Sequence, residues 1–231
     1  EVTDFTGKFA NFNYGLAKHR YGFYWALSRY ARDMASYHRF VYYPKLKALE
    51  PFFKDLEAHM PLALRAFLKI PGAQQLMKLQ KTGVLLRALD DMIPVDKQAS
   101  AHITSLGPNV VVAAPVNMRG LSADAEYLKA AKHLRVPAAA QVISWDNLTV
   151  RGFLYVKPDR LLVWNDFQAE EAESYHGIES VTIRKTGAPV FDNWFTHLKP
   201  ALSRKDFCAK YGLRAEDPYF VYLGSARNIA R

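Results

Sequence analysis

The sequence predicts an α/β fold: a parallel sheet flanked by helices on both faces, with a mostly helical N-terminal region before it. Three observations carry this. Short apolar runs alternate with helix-period segments from Pro108 onward. No run of β-branched residues precedes Pro108. Polar clusters rich in Asp, Asn and Thr follow the apolar runs, where an open parallel sheet places its carboxyl ends.

In residues 1–107 the periodicity is helical. Tyr21, Trp25, Ser28 and Arg32 share one face, and Phe23, Leu27, Tyr30 and Met34 another. Pro44, Pro51, Pro61 and Pro71 bound the helices of this region. Gln74 to Met92 reads as one helix, with Leu76, Leu79, Val84, Leu85 and Leu89 on its apolar stripe. From Pro108 the first strand is Asn109-Val-Val-Val-Ala113. Leu121, Ala125, Leu128, Ala131 and Leu134 mark the next helix, and Val136-Pro137 leads into a strand ending at Ile143. Arg160 to Trp164 is a third strand, Ala169 to Tyr175 a helix closed by His176-Gly177, and Val181 to Arg184 a fourth strand. Ser203 caps a helix with Asp206 at its third position, Leu202 placed to pack on Phe207, and Gly212 as its stop. Phe220 to Leu223 reads as a last strand, followed by Gly224-Ser225.

Half of the 231 residues are hydrophobic, which implies a packed chain rather than a disordered one. No apolar run approaches the roughly 20 residues of a spanning helix, and no secretory signal is visible. The single cysteine, Cys208, excludes an internal disulfide and a cysteine-rich metal site, and it reads as a small core residue. None of His19, His38, His59, His102, His133, His176 and His197 falls at metal-ligand spacing. The net charge of +9 favours anionic partners. Fifteen of the 31 aromatic residues lie in residues 1–53, interleaved with Arg20, Arg29, Arg32, Arg39, Lys45 and Lys47. The stretch 18–47 suits an anionic membrane interface, but an ordinary core helix with solvated arginines is the favoured reading. No nucleic-acid motif is present, so nucleic acid is not an expected partner.

Five strings resemble a bacterial family of GT-B type nucleotide-sugar glycosyltransferases. They are Ile143-Ser-Trp-Asp-Asn-Leu-Thr149, Asp159-Arg-Leu-Leu-Val-Trp-Asn165, Thr186-Gly-Ala-Pro-Val-Phe-Asp192, Ser203-Arg-Lys-Asp-Phe207 and Val221-Tyr-Leu-Gly-Ser225. The family is associated with surface polysaccharides and is distantly similar to CDP-glycerol glycerophosphotransferases. The resemblance covers roughly residues 25–231, and the Arg29 to Tyr43 helix resembles the family's helical insertion. It implies a Rossmann-like acceptor-side domain at 108–217, a helical segment of the same domain at 1–107, and the start of a second Rossmann-like domain at 218–231. The family's opening strand and helix are not recognisable in residues 1–20. The implied partners are a nucleotide sugar and a glycan or lipid-linked acceptor, in a cytoplasmic, membrane-associated setting. The donor sugar nucleotide belongs to the intact enzyme, so this segment by itself is expected to carry no cofactor and no activity.

Within that frame Asp146 is the candidate general base, because glycosyl transfer requires a group to take the acceptor hydroxyl proton. Trp145, Asn147 and Thr149 share its turn. Asn117 and Arg119 follow the preceding strand, and Asp192 follows a later one; these are the candidate ligand-binding residues. Gly224 and Ser225 are candidate phosphate binders. No metal ligand is expected. Asp146 and Asn147 are equally suited to hold the turn through side-chain to backbone hydrogen bonds.

Overall fold

The structure, a computed structural model, describes residues 22–114, 123–196 and 198–221. The chain divides into two compact units, Glu1–Pro189 and Val190–Arg231.

The first unit opens with the helix α1, Phe23–Tyr42, followed by a 3-10 turn at Pro44–Leu49. Three short helices come next: α2 (Glu50–His59), α3 (Leu62–Leu68) and α4 (Ala73–Met77). Then come α5 (Gln80–Met92) and α6 (Lys97–Leu106). The end of α6 is set locally. Asp96, fully buried, accepts hydrogen bonds from the N–H groups of Gln98 and Ala99 at 2.8 and 3.4 Å. Gly107 closes the helix with φ 55°, a left-handed conformation that costs a glycine little.

Four strands follow: β1 (Val111–Ala113), β2 (Ala138–Gln141), β3 (Arg160–Val163) and β4 (Ile183–Lys185). They pair in parallel in the order β1-β2-β3-β4, with Val111 opposite Ala138, Ala139 opposite Arg160 and Leu161 opposite Ile183. The expected parallel α/β sheet is present, flanked by helices. Its order runs in one direction, so the described strands contain no reversal of the kind that opens a binding crevice in doubly wound sheets. Helix α7 (Ala123–His133) connects β1 to β2 and packs on both. The contact is made of small residues. Ala125, Ala130 and Ala131 of α7, like Ala138 and Ala140 of β2, are buried, and short side chains on both surfaces let helix and sheet approach closely. The short α8 (Asn147–Val150) and the buried stretch Phe153-Leu-Tyr-Val156 connect β2 to β3. Helix α9 (Asp166–His176) connects β3 to β4, capped by Asn165 at one end and by Gly177 at φ 62° at the other.

In the second unit, α10 spans Asp192–Thr196 and α11 spans Arg204–Lys210. Ser203 caps α11 as its spacing predicts: its Oγ accepts from the Asp206 N–H at 3.1 Å and donates to Asp206 Oδ2 at 2.6 Å. Cys208 is buried, in keeping with a core role. Phe220 and Val221 are in no strand, and Tyr222 and Leu223 lie outside the described residues.

Two readings of the N-terminal region are corrected. The helix expected over 74–92 is two helices, α4 and α5, and its apolar stripe is not the core face. Leu76, Leu79, Val84, Leu85 and Leu89 are exposed, whereas Thr82, Leu86 and Asp90 point inward. The inward face is polar because α1 meets it with polar groups. His38 Nε2 lies 3.1 Å from the Leu79 carbonyl, and a Cβ at Gly83 would sit 2.6 Å from the His38 ring, so only glycine fits there. Part of the basic aromatic segment is interior, although Phe23 and Tyr24 at its start are exposed. Tyr37 and Phe40 are core residues, and Arg32 and Arg39 are 2% and 1% exposed, buried rather than solvated. Arg20 lies outside the described residues.

Arg32 ties three helices together. Its Nε donates to Asp90 Oδ1 of α5 at 2.9 Å, and its Nη2 lies 2.7 Å from Glu126 Oε1 of α7, an ion contact without hydrogen-bond alignment. Lys129 of α7 donates to the Asp90 carbonyl and sits 3.9 Å from its carboxylate. Burial works against the charge on Arg32, but Asp90 and Glu126 outweigh it and raise its pKa; on Lys129 burial wins and lowers it. Two cations and two anions thus neutralise one another where the helical region meets the α/β part. Removing one partner leaves an uncompensated buried charge. Asp90→Ala is therefore expected to cost about 3–5 kcal/mol in urea-induced unfolding.

Candidate functional site at the carboxyl edge of the sheet

The parallel register brings the carboxyl ends of β2, β3 and β4 side by side. The turn after β2 is the polar string Ser144-Trp145-Asp146-Asn147. Asn147, buried, is its internal brace: Oδ1 accepts the N–H groups of Ile143 and Ser144 at 3.0 and 2.9 Å. Asp146 is half-buried, and its Oδ1 accepts from Ser144 Oγ at 2.5 Å. Its carbonyl receives the Val150 N–H at 3.0 Å and the Thr149 hydroxyl at 3.2 Å. Trp145 projects outward, 74% exposed.

The end of β3 is stitched to this turn by one side chain. Buried Gln168 accepts the Trp164 N–H at 2.8 Å and donates its Nε2 to the Ser144 carbonyl at 3.2 Å. Trp164 adds a second stitch, with Nε1 donating to the Val142 carbonyl at 2.9 Å. Phe167, next to Gln168 in the first turn of α9, is 76% exposed. The edge thus carries a half-buried carboxylate, Asp146, with exposed Trp145 next to it in the same turn and exposed Phe167 in the first turn of α9.

Beneath the turn lies Arg39 of α1. Its Nη1 donates to the Leu148 carbonyl at 2.6 Å, and its Nη2 to the Thr149 carbonyl at 2.9 Å and to that of Arg151. These carbonyls belong to the C-terminal end of α8 and the residue after it, where helical partners run out. Burial lowers the Arg39 pKa to about 10, which leaves the guanidinium charged at neutral pH. His176, at the end of α9 and fully buried, completes the support. The Leu154 N–H donates to Nδ1 at 3.0 Å, so the ring proton sits on Nε2 and is donated to the Leu148 carbonyl at 2.8 Å. Burial first, and then Arg39 at 3.3 Å from Nε2 and nearby Arg87, hold its pKa well below the usual value. His176 is therefore neutral.

The sequence-predicted residues divide as follows. Trp145, Asp146, Asn147 and Thr149 meet in one turn, which Asn147 braces. Asp192 is exposed at the start of α10 in the second unit, where its carbonyl accepts the Thr196 hydroxyl at 2.8 Å. Asn117, Arg119, Gly224 and Ser225 lie outside the described residues. Among the described residues no group of three or more His, Cys, Asp or Glu can hold a metal ion. Sequence reasoning missed Arg39, Gln168 and Trp164, and took His176 only as a helix end. Asn165-x-x-Gln168 at the start of a helix was the one local signal available. No family model matches this chain, and no curated protein or solved structure matches it.

Two outcomes are expected. Arg39→Met removes the donor from the part-buried carbonyls of Thr149 and Arg151, at about 1–3 kcal/mol each at most, and leaves the Leu148 carbonyl to His176 alone. Hydrogen exchange should show residues 144–152 opening before the sheet does. His176 contributes a pH dependence of known sign. The unfolded ring titrates near 6.5 and the folded ring lower, so as pH falls through about 6.5 the unfolded state takes up the proton and stability drops. The melting temperature should fall between pH 7 and pH 5, and His176→Gln should flatten that slope.

Proposed function

We propose that the chain is the acceptor-side, Rossmann-like domain of a GT-B-like nucleotide-sugar glycosyltransferase that acts on a cell-surface glycan or lipid-linked acceptor. The observation that carries this reading is Asp146. Its carboxylate stands at the carboxyl edge of a parallel sheet, in a hydrogen-bonded turn, next to exposed Trp145. In this reading a sugar ring of the acceptor stacks on Trp145. As the acceptor oxygen attacks the anomeric carbon, its proton passes to Asp146, and the nucleotide leaves with the electron pair of the broken bond. Ser144 holds Oδ1 and leaves Oδ2 to receive the proton. The resemblance over 143–192 supports the assignment, as does the sequential parallel order, which is that of one wing of a doubly wound sheet.

Of the other candidates, Thr149 donates its hydroxyl to the Asp146 backbone and serves the turn. Asn117, Arg119, Asp192, Gly224 and Ser225 stay candidates for ligand and phosphate contacts. The competing reading, a non-catalytic binding module presenting the basic aromatic segment to an anionic partner, is weakened by the burial of Arg32, Tyr37, Arg39 and Phe40.

The test is transfer from uridine, cytidine and guanosine diphosphate sugars to glycan acceptors by the intact protein. Asp146→Asn keeps the acceptor for Ser144 Oγ, so its melting temperature should not change, while transfer should fall by about 10²-fold, the usual scale for general-base help. A variant that melts several degrees lower and keeps its turnover per folded molecule would make Asp146 a turn residue. Oligosaccharide should also shift the emission of exposed Trp145, and Trp145→Ala should abolish that shift.

A further inference from the structure

Helix α5 shows two faces of unusual character. Thr82, Leu86 and Asp90 face α1 and the interior. On the opposite face Lys81, Val84, Leu85, Ala88, Leu89 and Met92 recur at i, i+3, i+4, i+7, i+8 and i+11, and all are exposed. Val84 is 63%, Leu85 59% and Met92 78% exposed. Exposed Leu76 and Leu79 precede this face. From Pro61 to Leu89 the sequence contains Arg65, Lys69, Lys78, Lys81 and Arg87 and no Asp or Glu. The first acidic residue after them, Asp90, is turned inward onto Arg32. Exposed Asp91 lies beside Met92, and Glu50 and Glu57 line a hollow together with Lys78.

We propose that this face of α5 docks on an anionic lipid surface. Charge complementarity chooses the occupant. Arg87 is turned inward onto the His176 carbonyl and the Phe153 ring, but exposed Lys78 and Lys81 beside an apolar stripe match lipid phosphates and carboxylates above acyl chains. Lys78 and Lys81 have aliphatic stems long enough to lie along that stripe while the ammonium groups stay in the headgroup layer. The apolar residues are flexible aliphatics. The Trp and Tyr anchors that concentrate energy in protein interfaces are absent from the face. The helix lies on the membrane and does not span it: no described helix is long and apolar enough to cross. None of the residues of this face belongs to the Asp146 turn.

The probe is cosedimentation of the full chain with vesicles of phosphatidylcholine alone and with phosphatidylserine added at about one lipid in three. Binding should be tighter to the anionic vesicles by about tenfold or more and should weaken as salt rises. Lys78→Glu with Lys81→Glu should remove the anionic preference. Leu85→Ser with Met92→Ser should lower binding to both vesicle types. Both pairs are exposed, so melting temperatures should hold. Equal binding to neutral and anionic vesicles, or binding unchanged in both double variants, would overturn the proposal. So would a dimer in sedimentation equilibrium that Leu85→Ser with Met92→Ser turns into a monomer, since the occupant would then be a second copy of the chain.

Discussion

A guanidinium without water is the constraint on which the candidate site depends. Arg39 is buried beneath the turn after β2, and its charge is met by the carbonyls of Leu148, Thr149 and Arg151. Such an arrangement is stable only if every carbonyl stays in place, because a buried cation that loses its acceptors keeps the full cost of desolvation. The short helix α8 has just four residues and cannot hold its own C-terminal end. Arg39 supplies what further helical turns would have supplied. His176 shares the load on the Leu148 carbonyl and anchors Leu154, so the ends of α1, α8 and α9 and the stretch before β3 form one polar joint.

That joint gives the carboxyl edge its rigidity. Asn147 braces the turn from within, Gln168 and Trp164 stitch it to β3, and Arg39 with His176 hold it from below. The residues left projecting, Trp145 and Asp146, are then fixed in direction by their surroundings rather than by their own packing. A carboxylate on a stiff turn can keep its geometry when a substrate binds, and this is the property that transfer chemistry requires of a base.

The second polar joint, Arg32 with Asp90, Glu126 and Lys129, docks the helical region onto α7. Ion pairs of this kind add little net stability over an apolar contact of the same shape. They fix orientation: α5 can sit on α1 only with Asp90 turned inward. That orientation leaves Val84, Leu85, Leu89 and Met92 on the outside. The inward polar face and the outward apolar face of α5 are thus two consequences of one interaction.

The sequence by itself determined the local grammar. The caps at Ser203 and Gly177, the four short strands and the helix between β3 and β4 follow from hydrogen bonds that span three or four residues and from the periodicity of apolar side chains, whereas the order of the strands in the sheet does not. The Ser144 to Asn147 string could also be recognised as a polar turn at a strand end. The facing of α5 was not legible, because an apolar stripe names a face and not its neighbour. The buried partners of α5 are His38 and Arg32, more than forty residues away in sequence. Nor was the role of Asn147 separable from that of Asp146: both residues suit a turn, and only the backbone N–H groups of Ile143 and Ser144 choose between them. Arg39 stands more than a hundred residues before the carbonyls it holds. No spacing rule connects such groups, and only the packed tertiary structure, by removing water from between them, makes one the partner of the other.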